Sequence, residues 1–408
     1  MKRKLYNSTN SASNSSGSQT KLKRYLIPIT ITIITILIIT IILIPLSLGI
    51  LTFPPTTDTQ PNIPTINSPY TTPQLLWTTD IGHGIWGSPT VINGIIYTTS
   101  GGLVVAINAI DGNKIWEQKI MSYGYPLSSP TVNGKTIYVH SSLGFFALNA
   151  TDGNIMWDYR SSSGWLAPTV ANGVVYIGSE SSDTIGGGGS VIALNAIDGT
   201  ILWNYTTGRE MVSSPVVANG VVYVSCSGYM MDNCVYALNA LTGRVLWTFT
   251  INSKGSDYSN PVVVNRVVYV GSGDMLYALD ANTGKKIWGS TLDGSVWSPV
   301  VEYGAVYVCS DKSIYVLNAA NGEKLWSYPI GENFMSDLAI VDGVVYIGCD
   351  VHRDMTICAL NAATGEKLWS YPIGFSDKGR SSAITAAKGV IYIGIYTDMY
   401  AFSAIKPF

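Results

Sequence analysis

Enzymatic chemistry needs ionisable or nucleophilic side chains at spacings that bring them together, and this 408-residue chain offers few. Its three histidines, His83, His140 and His352, lie far apart near predicted loops, and none has a metal-ligand spacing to another. Each reads as a solvated loop histidine, not an acid, base or metal ligand. The five cysteines include Cys226 with Cys234 and Cys349 with Cys358, two pairs that each bracket a short loop, while Cys309 stands alone. In an oxidising compartment each pair would close a hairpin; buried thiols in strands are the alternative. No histidine cluster accompanies them, so a zinc site is not expected. Asp111-Gly112 and Asp152-Gly153 are turn chemistry, not calcium loops. Gly186–Gly189 does not lead from a strand into a helix and is no phosphate cradle. No catalytic, cofactor-binding or metal-binding residue is expected.

Charge and hydropathy divide the chain. Residues 1–24 carry Lys2, Arg3, Lys4, Lys21, Lys23 and Arg24 with no acid, in a Ser/Asn/Thr-rich setting. Such a composition buries too little apolar surface to order itself and predicts a disordered basic tail. No charged residue occurs from Tyr25 to Thr57. An apolar run of this length spans a bilayer as a helix, so residues 25–53 are expected to form a transmembrane signal anchor. Its length argues against a cleaved signal peptide, the competing reading, for which Ser47-Leu48-Gly49 is only a weak cleavage motif. The first cysteine is Cys226, which excludes lipid attachment near the span. Six basic residues before the span and none just after it place the tail in the cytoplasm and everything beyond outside. The expected location is the cytoplasmic membrane, single-pass, with residues 54–74 as a linker. Beyond the tail, 18 basic residues face 26 acidic ones, a net of −8 that argues against a nucleic-acid partner.

The elements that would position any site come from an internal repeat. Seven near-copies of an eleven-residue pattern run from Ala106–Trp116 (AINAIDGNKIW) to Ala359–Trp369 (ALNAATGEKLW), and their tryptophans recur every 38–46 residues. A period near 40 with many short strands is the signature of a propeller blade. Within one period, Val-rich runs flank Asn219-Gly220, a hairpin signal repeated at Asn93-Gly94, Asn133-Gly134 and Asn172-Gly173, with Asp342-Gly343 as a variant. A third strand, a Gly turn and a fourth strand complete each period. The final period, with its third strand at Tyr400–Ile405, lacks a fourth strand, whereas LLWTTDI supplies an orphan one with Trp77 before the first period. The fold expected for residues 75–408 is therefore an all-β, eight-bladed propeller closed by a blade split between the two ends of the domain.

The pattern A-x-[DN]-x-x-[TDN]-G-x-x-x-W resembles the tryptophan docking motif of the pyrroloquinoline-quinone-repeat propellers. The resemblance implies that Trp77, Trp116, Trp157, Trp203, Trp247, Trp288, Trp326 and Trp369 dock between neighbouring blades, against the small Ala and the Gly backbone. Val316 is the one departure at the Ala position, and its junction is expected to pack less closely. Quinoprotein dehydrogenases of this superfamily hold the quinone and a calcium ion in the top funnel with an Asp, a Glu, an Asn and a disulfide between adjacent cysteines. None of these can be placed here, so neither quinone nor calcium is predicted. The resemblance to the non-enzymatic kind, such as the scaffold lipoprotein of the outer-membrane barrel-assembly machinery, implies a scaffolding role.

Three tryptophans remain. Trp86, Trp165 and Trp297 lie two or three residues before Pro89, Pro168 and Pro299, which open innermost strands; Tyr125, Met211, Tyr258, Phe334 and Arg380 hold the matching stretch of other blades. These eight residues are expected to ring one mouth of the central channel as a candidate ligand funnel, or to plug it by packing on one another. The variable loops 179–190, 227–233 and 350–356 open on the same face and suit recognition. Asn149-Ala-Thr151 and Asn204-Tyr-Thr206 are glycosylation sequons, the first inside a docking motif. The function expected is a membrane-tethered module that binds protein or glycan at the cell surface, with a quinone-dependent oxidoreductase as the alternative.

Overall fold

The computed structural model describes residues 60–64, 73–85, 87–122, 126–160, 166–179, 188–209, 211–228, 231–254, 258–331, 338–351, 354–375 and 384–403. The expected tail 1–24, the apolar segment 25–53, most of the linker, His352, and five candidate funnel residues (Trp86, Tyr125, Trp165, Phe334 and Arg380) lie outside them.

The structure is an eight-bladed β-propeller of antiparallel sheets. Counted from the first whole sheet, blades 1 to 7 occupy residues 90–119, 131–159, 169–206, 211–254, 262–291, 300–329 and 339–375. Blade 8 joins Thr385–Ala387, Val390–Ile395 and Asp398–Ser403 to the first strand of the domain, Leu75–Asp80. Trp77 pairs with Ala401 and Asp80 with Asp398, so the ring closes as the repeat phase requires. The strand expected at Tyr400–Ile405 begins two residues earlier, because Ile395 pairs with Asp398 across a two-residue turn.

Each blade follows from its residue pattern. The second and third strands, such as Ile95–Ser100 and Leu103–Asn108, are almost wholly buried because neighbouring blades cover both faces. The outermost strand alternates, as Lys114–Lys119 does, with exposed residues between half-buried ones. The first hairpin turn has positive φ at Asn93 (53°) and Gly94 (79°), the mirror-image turn whose twist matches that of its strands. Asn172-Gly173, Asn219-Gly220 and Asp342-Gly343 behave alike. Asn133-Gly134 does not: Asn133 pairs with Thr136 inside the strand, leaving Gly134 and Lys135 as the turn. The Asn-Gly pair comes one residue early there, since Thr131 and Tyr138 hold the register that Thr90 and Tyr97 hold in blade 1. Asn265-Arg266, Tyr303-Gly304 and Lys388-Gly389 form the same turn without the Asn-Gly signature.

Candidate functional site

The blade junctions set the frame for any site. In seven of them a tryptophan indole donates to the carbonyl of the second alanine of the next blade's motif. The pairs are Trp77–Ala109, Trp116–Ala150, Trp157–Ala196, Trp203–Ala240, Trp247–Ala281, Trp288–Ala319 and Trp326–Ala362, at 2.9–3.3 Å. A β-carbon added at the following glycine would fall 2.5–2.7 Å from a carbon of that tryptophan, so only glycine admits the ring. The motif's first alanine serves differently, since Ala106 and its equivalents pair across the sheet with the tryptophan of their own blade. Val316 sits there opposite Trp326. That indole keeps its 3.0 Å bond, so docking survives the larger side chain. The ring geometry changes: Tyr307 and Trp326 are 6.4 Å apart at 71°, against 5.9–6.1 Å and 41–53° at the other tyrosine–tryptophan pairs of this kind.

Sequence reasoning missed a tyrosine ring. Tyr97 donates its hydroxyl to the Ala150 carbonyl at 3.2 Å, the same oxygen that Trp116 uses. Tyr138, Tyr176, Tyr223, Tyr269, Tyr307 and Tyr392 repeat the arrangement. Burial raises the pKa of these hydroxyls, that of Tyr269 to about 12, so they remain protonated donors. The signal was present as the Tyr that follows two β-branched or aliphatic residues after every hairpin turn. A second missed ring lies at the centre. Thr90, Thr131, Thr169 and Thr385 donate to the carbonyls of Pro130, Pro168, Pro215 and Pro89 in the next blade. Blades 4 to 6 carry Val216, Val262 and Val300 at this place, and there the Ser214 and Asn260 N–H groups donate to the Asn260 and Ser298 side chains.

Of the eight residues expected at the channel mouth, the described ones are Met211, Tyr258 and Trp297, all partly buried and on consecutive blades. They are staggered, not level. Met211 pairs with Ser227, Tyr258 bridges Ser272, and the Trp297 N–H donates to the Cys309 carbonyl at 3.0 Å, one step deeper each time. Trp297 packs against the core between blades 6 and 7, with its indole nitrogen buried and without a hydrogen-bond partner among the described residues. It is a wedge between blades 6 and 7, and Met211 and Tyr258 lie further along their blades toward the hairpin ends.

Two hairpins rise beyond the others at this end. In blade 4, Val221–Gly228 and Met231–Asn239 have 8 and 9 residues; in blade 7, Val344–Val351 and Asp354–Asn361 have 8 each, where six is usual elsewhere. Cys226 and Cys234 face each other across the blade 4 hairpin, 5.1 Å apart at Cα, and are joined by a disulfide. Asn233 beside them donates to Ser272 of blade 5 at 2.8 Å, bracing the hairpin sideways. The strand register does not set Cys349 directly against Cys358: Cys349 lies opposite Thr356, and the buried Cys358 lies opposite Ile347.

His140 also corrects the expectation of a solvated loop residue. It lies on a strand, is fully buried at the junction of blades 2 and 3, and burial depresses its pKa to about 4 despite the nearby Leu166 carbonyl. It is a neutral packing group at neutral pH. Among the described residues no group of three or more His, Cys, Asp or Glu could hold a metal ion, and the sequence has no adjacent cysteines. The donor set of the quinoprotein funnel is therefore not matched by the described residues. On the rim, a cavity of about 330 Å³ between blades 5 and 6 is lined by Asp293, Tyr315 and Lys324 among others.

Comparison with known proteins agrees with this architecture. The family model for the outer membrane protein assembly factor BamB matches residues 69–180, 147–253 and 231–394. BamB from Moraxella catarrhalis superposes with a TM-score of 0.64 at 18% identity, covering 81% of this chain and all of that one. The computationally designed Ika8 protein gives 0.67 at 14%, with the same coverages. The quinohemoprotein alcohol dehydrogenase from Comamonas testosteroni gives 0.66 at 15%, covering 81% of this chain and 76% of the enzyme. At such identities the likeness shows the fold alone. No curated protein sequence matches significantly. With the family model spanning most of the propeller and its repeats in phase throughout, the chain belongs to the family of the outer membrane protein assembly factor BamB.

Proposed function

We propose that this propeller is a protein-binding scaffold held outside the cytoplasmic membrane by the apolar segment 25–53, with its N-terminus inside. The observation that carries the reading is the pair of raised hairpins on blades 4 and 7, one stapled by Cys226–Cys234, at the end where Met211 and Tyr258 lie. Projections held by paired strands suit a protein segment, which binds them at little cost in freedom of the scaffold. Met211 and Tyr258 are the contact residues and Trp297 supports them. A photo-crosslinking residue in place of Tyr258 or Met211, in native membranes, is expected to give discrete protein adducts, and one in place of Asp342 on the opposite face none. Adducts of glycan only would redirect the partner class, and equal labelling from both faces would defeat the reading. Dye reduction on adding the quinone with calcium would favour the oxidoreductase that the dehydrogenase fold suggests.

A further inference from the structure

The opposite face is built from the hairpin turns and the motif turns, which touch within every whole blade: Ala109 N–H donates to the Gly94 carbonyl, Ala240 to Gly220 and Ala319 to Gly304. Three motif turns raise large apolar side chains there. Ile110, Ile197 and Leu241, on blades 1, 3 and 4, are 84%, 80% and 85% exposed. Each is presented rigidly, because its own N–H donates to the side chain of Asn108, Asn195 or Asn239 two residues before it. In blades 2, 5, 6 and 7 the place is taken by the short or polar Thr151, Asn282, Ala320 and Ala363.

A second observation says what covers this face. Pro61 lies against the turn glycine Gly304, 3.3 Å from where its β-carbon would stand, and Ile63 packs on the core between blades 6 and 7. The chain thus reaches the propeller on this same face, across the ring from the three apolar tips. Only residues 54–59 separate Pro61's neighbourhood from the apolar segment, a reach of at most about 20 Å when fully extended. Charge beside the tips is of both signs: Asp111 and Asp198 follow two of them, with carboxylates engaged by the Asn113 and Thr200 N–H groups, and Lys114 and Arg244 come four and three residues after Ile110 and Leu241.

We propose that Ile110, Ile197 and Leu241 seat this face on the lipid surface, at headgroup depth, so that the mouth and its two hairpins point away from the membrane. The seating rests on the anchoring proposed above and adds a second attachment to it. One tether lets a domain swing; tether and tips on opposite sides of one face hold it level.

The test uses the full chain in zwitterionic lipid vesicles, with nitroxide labels at I110C, I197C and L241C, and at D274C on a turn of the opposite face. The unsubstituted chain serves as labelling control. Expected is a several-fold higher ratio of oxygen to water-soluble nickel accessibility at the three tips than at position 274. Replacing the other two tips by serine should return the Ile197→Cys label to the value at 274 without changing the far-ultraviolet circular dichroism. Equal ratios on both faces in a carbonate-resistant chain would overturn the seating alone. Release by carbonate would overturn the anchoring itself. Protection of the tips from both oxygen and nickel would mark a contact with a second copy and overturn the lipid seating.

Discussion

The two sides of blade 8 differ. Toward blade 1 it offers an ordinary junction: Trp77 donates to Ala109 at 3.2 Å, meets Gly112, and Thr385 reaches the Pro89 carbonyl at 2.6 Å. Toward blade 7 the motif breaks. Trp369 is buried beside Tyr346, yet its indole nitrogen has no partner among the described residues. In sequence, Ala404 and Pro407 stand where other blades have the acceptor alanine and the glycine. Closure of the ring is thus secured by strand pairing, Leu75–Asp80 on Asp398–Ser403, on a blade whose docking motif is incomplete. Between blades 7 and 8 the joining is apolar packing, of Tyr346 and Trp369 on Ile391, Ile393 and Phe402.

The largest test of this contrast is Gly153→Ala. Gly153 has φ +76° and meets Trp116, so a methyl group adds backbone strain to a clash, and we expect a loss of about 3 kcal/mol in urea denaturation. Pro407→Ala should change little, and a comparable loss there would erase the distinction. Next comes pH. The unfolded chain takes up a proton on His140 near pH 6.5 and the folded chain only near pH 4, so stability is full above that window and falls as pH drops through it. His140→Phe should flatten a loss of a few kcal/mol, measured as denaturation midpoints across the window. Thr385→Val and Thr169→Val should each cost about 1 kcal/mol, equal at the seam and inside the ring, by thermal unfolding. Smallest is a difference: Trp326→Phe should cost about 1 kcal/mol more than Trp369→Phe, since only Trp326 has a described bond to lose. Equal costs would mean that Trp369 finds its acceptor beyond residue 403.

Much of the fold was legible. The motif spacing set the number of blades, and the orphan strand around Trp77 set how the ring closes, because each repeat is a local unit. What stayed hidden depends on contacts between repeats. Tyr97 and Trp116 belong to different strands of one blade, and their shared acceptor lies in the next. His140 occupies a place that Gly178, Gly271 and Gly394 hold in other blades, so its burial follows from the neighbouring blade and not from its own strand. The candidate mouth was only partly readable: proximity to a proline located Tyr258 and Trp297 just before inner strands, but not their depths.

By itself the sequence determined the strand order, the blade count, the turn chemistry and the docking tryptophans, all properties that repeat along the chain at short range. Tertiary structure alone decided which cysteines oppose each other, which tryptophan becomes a wedge, and which apolar residues remain outside on one face. Register and neighbours govern those outcomes. A shift of two residues across a hairpin offsets Cys349 from Cys358, while direct opposition joins Cys226 to Cys234, and the register that decides this depends on how each hairpin turns.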